Sequence, residues 1–218
     1  MKRSSFDQLA KDYDHWFDSP ESRILFLTET RCLQELAAGK EGLWLEVGVG
    51  TGRFAQVLGI EFGLDPSVAM LVFAKERGIK TVSGRGEALP YSDSSFDGVL
   101  IVTALCFFSD PLRVLQESTR VLKKSGCLIL GMVPSDSAWG RLYQQKGRNG
   151  HPFYSQARFY SCGQIIQLAG EKGFSLDKAT SGLISAPEEP LDNIVTYEGI
   201  LKEAGFVGIR FLKIDACQ

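Results

Sequence analysis

Between Leu43 and Phe54 the chain reads LWLEVGVGTGRF: a short apolar run ends on Glu46 and breaks into Gly48, Gly50 and Gly52. No other stretch restricts the fold so tightly. Glycine at alternate positions lets a strand turn sharply into a helix, and the missing side chains let backbone N–H groups approach a ligand. A dinucleotide-binding turn reads G-x-G-x-x-G, its third glycine packing helix against strand. Here the third glycine comes one residue early, and Arg53 stands where that pattern needs glycine. A tight turn that binds nothing satisfies the same short pattern, so the rest of the chain has to discriminate.

The rest of the chain alternates. Two helical segments lead, Ser4 to Trp16 with Phe6, Leu9, Ala10, Tyr13 and Trp16 at helical spacing, and Ser22 to Ala38 with Ile24, Leu25, Leu33 and Leu36, stopped by Gly39. Strands are then expected at Leu43–Val47, Ile60–Leu64, Lys80–Ser83, Ser95–Val102 and Cys127–Val133. Helices are expected between them at Gly52–Leu58, Ser67–Arg77 and Pro111–Leu122. VLIV at 99–102 and CLILGMV at 127–133 are continuously apolar, as strands covered on both faces should be. From Pro134 to about Cys162 regularity lapses in a segment rich in aromatic residues, the pattern of a lid or binding insertion. A helix at Gly163–Lys172, a strand at Phe174–Ala179, a helix at Asp192–Ala204 and a strand at Phe206–Ile214 close the chain. The expected architecture is a doubly wound α/β domain with a Rossmann-like, mostly parallel seven-stranded sheet and one antiparallel edge strand. Residues 1–218 form one domain in this reading, with 1–38 as an N-terminal helical cap and 134–161 as the insertion over the substrate.

Composition removes several function classes. With 218 residues, 24 basic and 26 acidic side chains and a net charge of −2, the chain lacks the basic footprint of a nucleic-acid binder. No apolar run reaches membrane-spanning length and the N-terminus lacks a signal-peptide core, so a cytoplasmic protein with no membrane partner is expected. The five cysteines, Cys32, Cys106, Cys127, Cys162 and Cys217, are scattered and never form C-x-x-C, which suits reduced thiols. With His15 and His151 as the only imidazoles, no metal site is expected.

Two further motifs follow the glycine run. GLDPS, from Gly63 to Ser67, puts Asp65 at the end of the second strand, where an acid can accept hydrogen bonds from ribose hydroxyls; alternatively Asp65 caps the helix that Pro66 and Ser67 begin. GRGEALPYSDSSFD, from Gly84 to Asp97, precedes the fourth strand, and DPLRVLQESTRVLKKSGCLILG follows it. With Glu46 in front of its glycines, the first run resembles motif I of the class I S-adenosylmethionine-dependent methyltransferases. All three motifs, in this order, resemble the type 11 family, whose loop reads G-D-A-E-x-L-P and is followed by S-F-D and R-V-L-K-x-G-G. The likeness covers residues 6 to 133, and ARFYSCGQIIQLAGEKGF resembles the family's helix after the lid.

The resemblance implies S-adenosylmethionine as cofactor, S-adenosylhomocysteine as its product, and a set of roles. Glu46 would orient the methionine ammonium, directly or through water, while Gly48, Gly50 and Gly52 leave room for methionine and ribose. Asp65 and Pro66 would meet the ribose, and Thr103 would line the methionine end. Tyr13, in the YD of the leader, either closes the site with its ring or hydroxyl or packs in the core. The adenine loop departs from the family: Arg85 stands where Asp is usual, and Gly86 replaces alanine. Either Glu87 supplies the missing carboxylate or the backbone of Gly86, Glu87 and Ala88 reads the base.

The expected function is methyl transfer to a small-molecule acceptor, an amine or an aromatic compound in preference. A sulfonium methyl is already activated, so the protein mainly aligns the reactants and excludes water, and no catalytic residue is assigned. Aromatics in the insertion enclose a planar or cationic acceptor, or simply cover the sheet edge. The rivals are a nicotinamide-dependent oxidoreductase and a non-catalytic module that binds S-adenosylmethionine.

Overall fold

The computed structural model describes residues 4–39 and 41–214. Eight strands form one sheet: β1 (Trp44–Val47), β2 (Phe62–Asp65), β3 (Lys80–Ser83), β4 (Phe96–Val102), β5 (Leu122–Met132), β6 (Phe174–Gly182), β7 (Thr196–Glu198) and β8 (Phe206–Lys213). Their order is β3-β2-β1-β4-β5-β8-β6-β7. The first five strands run parallel, while β8 is antiparallel to β5 and β6, and β7 is antiparallel to β6. Winding thus proceeds outward from β1 to β3 and returns to β4 on the other side. The switch point lies between β1 and β4, where α/β sheets open a crevice beyond the strand ends.

Alternation along β4 sorts the core into two layers. Val99 and Ile101 face α6 (Pro111–Val121) and α8 (Cys162–Gly170), meeting Val114, Leu115 and Ile165. Leu100 and Val102 face the opposite layer, where α3 (Pro20–Ala37), α4 (Arg53–Leu58) and α5 (Val68–Glu76) contribute Leu33, Leu36, Phe54 and Leu71. Ser19, Ser67, Asp110 and Ser161 cap α3, α5, α6 and α8 by accepting first-turn N–H groups, and Ser161 completes a capping box with Gln164. Cys32, Cys106 and Cys162 carry free thiols, and Cys217 lies outside the described residues. No helix among the described residues is long and apolar enough to cross a membrane.

Three elements depart from the sequence expectation. The leading helix breaks at Leu9 into α1 (Ser5–Gln8) and α2 (Ala10–Trp16), which lets Asp7 accept a 2.7 Å hydrogen bond from the Ser67 hydroxyl. The segment after Pro134 contains α7 (Ala138–Arg148), capped by Ser137. Its Gly140 and Gly147 read as helix breakers, yet a Cβ at either would strike the main chain, of Pro134 and of Tyr154 respectively. Asp192–Ala204 is not helical. Thr196–Glu198 instead pairs with Gly182–Thr180 as an eighth strand, and the Ser181 hydroxyl holds the turn after it by donating to the Gly199 carbonyl and accepting from Leu201 N–H. Val195, Thr196 and Tyr197 suit an extended edge better than a helix.

Gly98 on β4 lies flat against the Trp44 indole, and any Cβ there would overlap the ring. Gly98→Ala is expected to lower stability by about 2 kcal/mol, read as a lower urea midpoint with an unchanged slope.

Candidate functional site

The turn after β1 divides its three glycines into different tasks. Gly48, Gly50 and Gly52 all have positive φ, at 80°, 52° and 82°. A Cβ on Gly48 would lie 2.5 Å from the Ala104 Cβ, and one on Gly52 would lie 3.0 Å from Ala74 on α5, so both serve close packing. Gly50 has nothing within 4 Å of its Cβ position and leaves the turn open there. The Gly48 and Val49 N–H groups both donate to the Leu64 carbonyl, at 2.7 and 3.0 Å, locking the turn to β2.

Two carboxyls bracket this turn. Glu46 is buried on β1, and its Oε2 has no hydrogen-bond partner among the described residues. Burial pushes its pKa well above the usual carboxylate range, opposed by the Ala55 N–H and reinforced by the charge of Asp65. Asp65 accepts from Gly50 N–H at 3.0 Å and from Ser67 N–H at 2.8 Å. Burial raises its pKa too, with those two N–H groups holding it down. The cap of α5 is Ser67, whose hydroxyl accepts from Met70 N–H, so Asp65 is free of that duty. Pro66 is exposed beside it.

In the next loop the Glu87 carboxylate accepts from Ser109 N–H at 3.0 Å and meets the Arg85 guanidinium at 3.4 Å. Burial opposes its ionisation, but Arg85 and the N–H groups hold its pKa below the ordinary glutamate value. Arg85 also donates to the Ser109 hydroxyl at 3.1 Å. Both side chains are therefore committed to the start of α6. Gly86 is buried, its Cβ position 3.0 Å from Val47 and 3.1 Å from the Phe108 ring, and Ala88 is exposed.

Beyond the strand ends lies a cavity of about 360 Å³. Thr103, just past β4, lines it with a left-handed φ of 47°, a costly conformation for a β-branched residue. Tyr13 lines it from α2, packed edge-on against Phe6, Phe17 and Phe153, and burial raises its phenol pKa. From the insertion come Tyr143, His151, Phe153, Tyr154 and Phe159. His151 stacks on Tyr154 at 4.4 Å, and burial, helped by Lys146, lowers its pKa.

A family model described as a methyltransferase domain, type 11, matches residues 45–130. A SAM-dependent methyltransferase from Thermotoga maritima, described as a possible histamine N-methyltransferase, has a crystal structure with TM-score 0.88 and 38% identity. The likeness covers 96% of this chain and 98% of that one. The chain belongs to the type 11 S-adenosylmethionine-dependent methyltransferases. An uncharacterized protein of Methanocaldococcus jannaschii, MJ1123, is 39% identical over 96% of this chain and 98% of its own length. A demethylmenaquinone methyltransferase of Thermotoga maritima is 31% identical over 78% of this chain and 86% of its own.

Two features of this methyltransferase lie outside its motifs. Arg53 donates to Asp14 at 2.9 and 3.1 Å and to Asp18 at 2.8 and 3.0 Å, while Arg77 donates to Asp14 at 2.9 Å. These bonds fasten α2 and the turn after it to α4 and to the end of α5. Glu29 is the second: it lines the cavity, and its one sequence signal is its place between Leu25 and Leu33, four residues from each on an otherwise apolar helical face.

Burial opposes ionisation of Asp14, but hydrogen bonds from Arg53 and Arg77 outweigh it and bring its pKa to about 2 from an ordinary 3.8. A lowered folded-state pKa gives stability that is present above the unfolded value and lost as pH falls through the folded one. Asp14→Asn is expected to cost about 2–3 kcal/mol at pH 7, the low end for a buried pair because both arginines keep some exposure. In denaturation series the gap between wild type and variant should close between about pH 4 and 2.

Proposed function

We propose that this methyltransferase acts on a small amine or aromatic compound bound in the cavity between residues 1–38, as a cap, and 134–161, as a lid on a single domain. The observation that carries this reading is the cavity itself, lined largely by aromatic residues and by Thr103 just past β4. The named relatives point the same way, one being linked to an amine and another to a quinone.

The crevice suits S-adenosylmethionine. Glu46 keeps a buried carboxylate oxygen without a protein partner, which a methionine ammonium would satisfy. Asp65, with Pro66 after it, offers remaining acceptor capacity to ribose hydroxyls beside the open face at Gly50. Gly48 and Gly52 keep the turn tight. Because the Glu87 side chain is engaged elsewhere, the main chain of Gly86, Glu87 and Ala88 is the better adenine contact. Tyr13 and Thr103 would flank the methionine end. The bound cofactor supplies a methyl group already activated for displacement. The protein's part is to orient the acceptor and keep water out, and the cap and lid rings suit both tasks.

Calorimetry tests the assignment. S-adenosylhomocysteine should bind and NADH should not, and Asp65→Ala should weaken binding by about 1.5–3 kcal/mol through loss of charged hydrogen bonds. Absence of binding would refute the site. Methyl transfer from labelled cofactor across amines and phenols separates an enzyme acting on either class from a binding module, which would yield no product.

A further inference from the structure

The cavity holds a buried carboxyl that neither the cofactor nor the fold uses. Glu29, on the third turn of α3, lines the cavity and forms no ion pair among the described residues. Burial alone pushes its carboxyl up to about 8, with no hydrogen bond or cation pulling the other way. This differs from Asp14 and Glu87, where arginines outweigh burial. A carboxyl retained in an apolar pocket without a counter-charge is costly unless something else supplies one.

The titratable groups that share its surroundings are acidic or neutral. The phenols of Tyr13, Tyr143 and Tyr154 and the Cys32 thiol are raised mainly by burial and further by the negative charge of Glu29. Asp12 and Cys106 also line the cavity, and His151 has a pKa lowered by burial. No lysine or arginine among the described residues lines this cavity. Three cations stand just behind the lining, Arg53 over the Phe17 ring, Lys146 over Tyr143 and Arg158 over Tyr160, whereas Phe153 and Phe159 add aromatic surface without such a partner. Carboxyls and aromatic rings in the lining favour a positive guest with an apolar body.

We infer that Glu29 binds a protonated amino group of the acceptor, so that the acceptor is a small amine carrying an aromatic or apolar body. The inference deepens the proposed reading of this cavity as the acceptor site and rests on it. On binding, the Glu29 carboxylic acid gives its proton to solvent and the carboxylate pairs with the incoming ammonium. Glu29 acts here in recognition, apart from the methyl donor, whose own ammonium belongs with Glu46. A neutral aromatic acceptor could form no ion pair with a carboxyl at this place.

The test uses the full-length protein saturated with S-adenosylhomocysteine and matched pairs of probes: 2-phenylethylamine, tyramine and tryptamine against 2-phenylethanol, tyrosol and tryptophol. Titration calorimetry should show an amine binding about 10- to 100-fold tighter than its alcohol, and Glu29→Gln should abolish that preference. At pH 7, buffers of differing ionisation enthalpy should reveal release of close to one proton per amine bound in wild type and none in the variant. Affinity for S-adenosylhomocysteine should be unchanged in Glu29→Gln, which also certifies its fold. The proposal is overturned if no amine binds, if alcohols bind as tightly, if the variant weakens both classes equally, or if it loses S-adenosylhomocysteine. Failure of wild type to bind S-adenosylhomocysteine would instead overturn the underlying reading of the site.

Discussion

The close passage of main chain beyond the carboxyl end of β1 is the constraint on which the rest of this methyltransferase depends. At Gly48 the backbone lies so near Ala104 that no side chain fits, and at Gly63 a Cβ would meet Val49 within 3.0 Å. These contacts bring the turns after β1 and β4 together beside β2. A crevice at the switch point follows directly, because adjacent connections leave on opposite sides of the sheet. With larger residues the turns would separate, and Glu46, Asp65 and Thr103 would no longer share one end of the sheet.

The crevice becomes a closed site through segments remote in sequence. Asp14 is gripped by Arg53 and Arg77, which pins α2 over the glycine turn from the side of α4 and α5. From that anchor Phe6 reaches across to Phe107 and Phe153 at 5.0 and 4.9 Å, and Gln156 donates to the Ser5 hydroxyl. The first helix and the segment after Pro134 thus meet above the strand ends. Arg53 is a fitting residue for this work, since its planar fork engages two carboxylates at once. The departure from the dinucleotide pattern at position 53 is therefore also what ties α2 down.

Local pattern was a good guide wherever local interactions control the outcome. The apolar runs at 99–102 and 127–133 are buried strands, and the five parallel strands and their covering helices follow the spacing of apolar residues. It failed where a distant partner overrides propensity. Gly140 and Gly147 punctuate a sequence, yet α7 keeps them because Pro134 and Tyr154 press on it there. Thr196–Glu198 became a strand because β6 offered an unpaired edge, so the sheet has eight strands where seven were expected.

By itself the sequence determined the parallel α/β sheet, the glycine turn after β1 and the cofactor class, because each depends on residue types at short, regular spacing. Only the tertiary structure decided which acids face the cavity and which are held elsewhere. Glu87, in the expected loop, turns to the N–H groups at the start of α6, whereas Glu29, in an unremarked helix, faces the cavity. Asp14 is an ionised anchor and Glu29 a carboxyl with raised pKa. The physical reason is that a carboxyl's role is set by burial and by the donors around it. Those donors come from chain segments dozens of residues away, which no local spacing records.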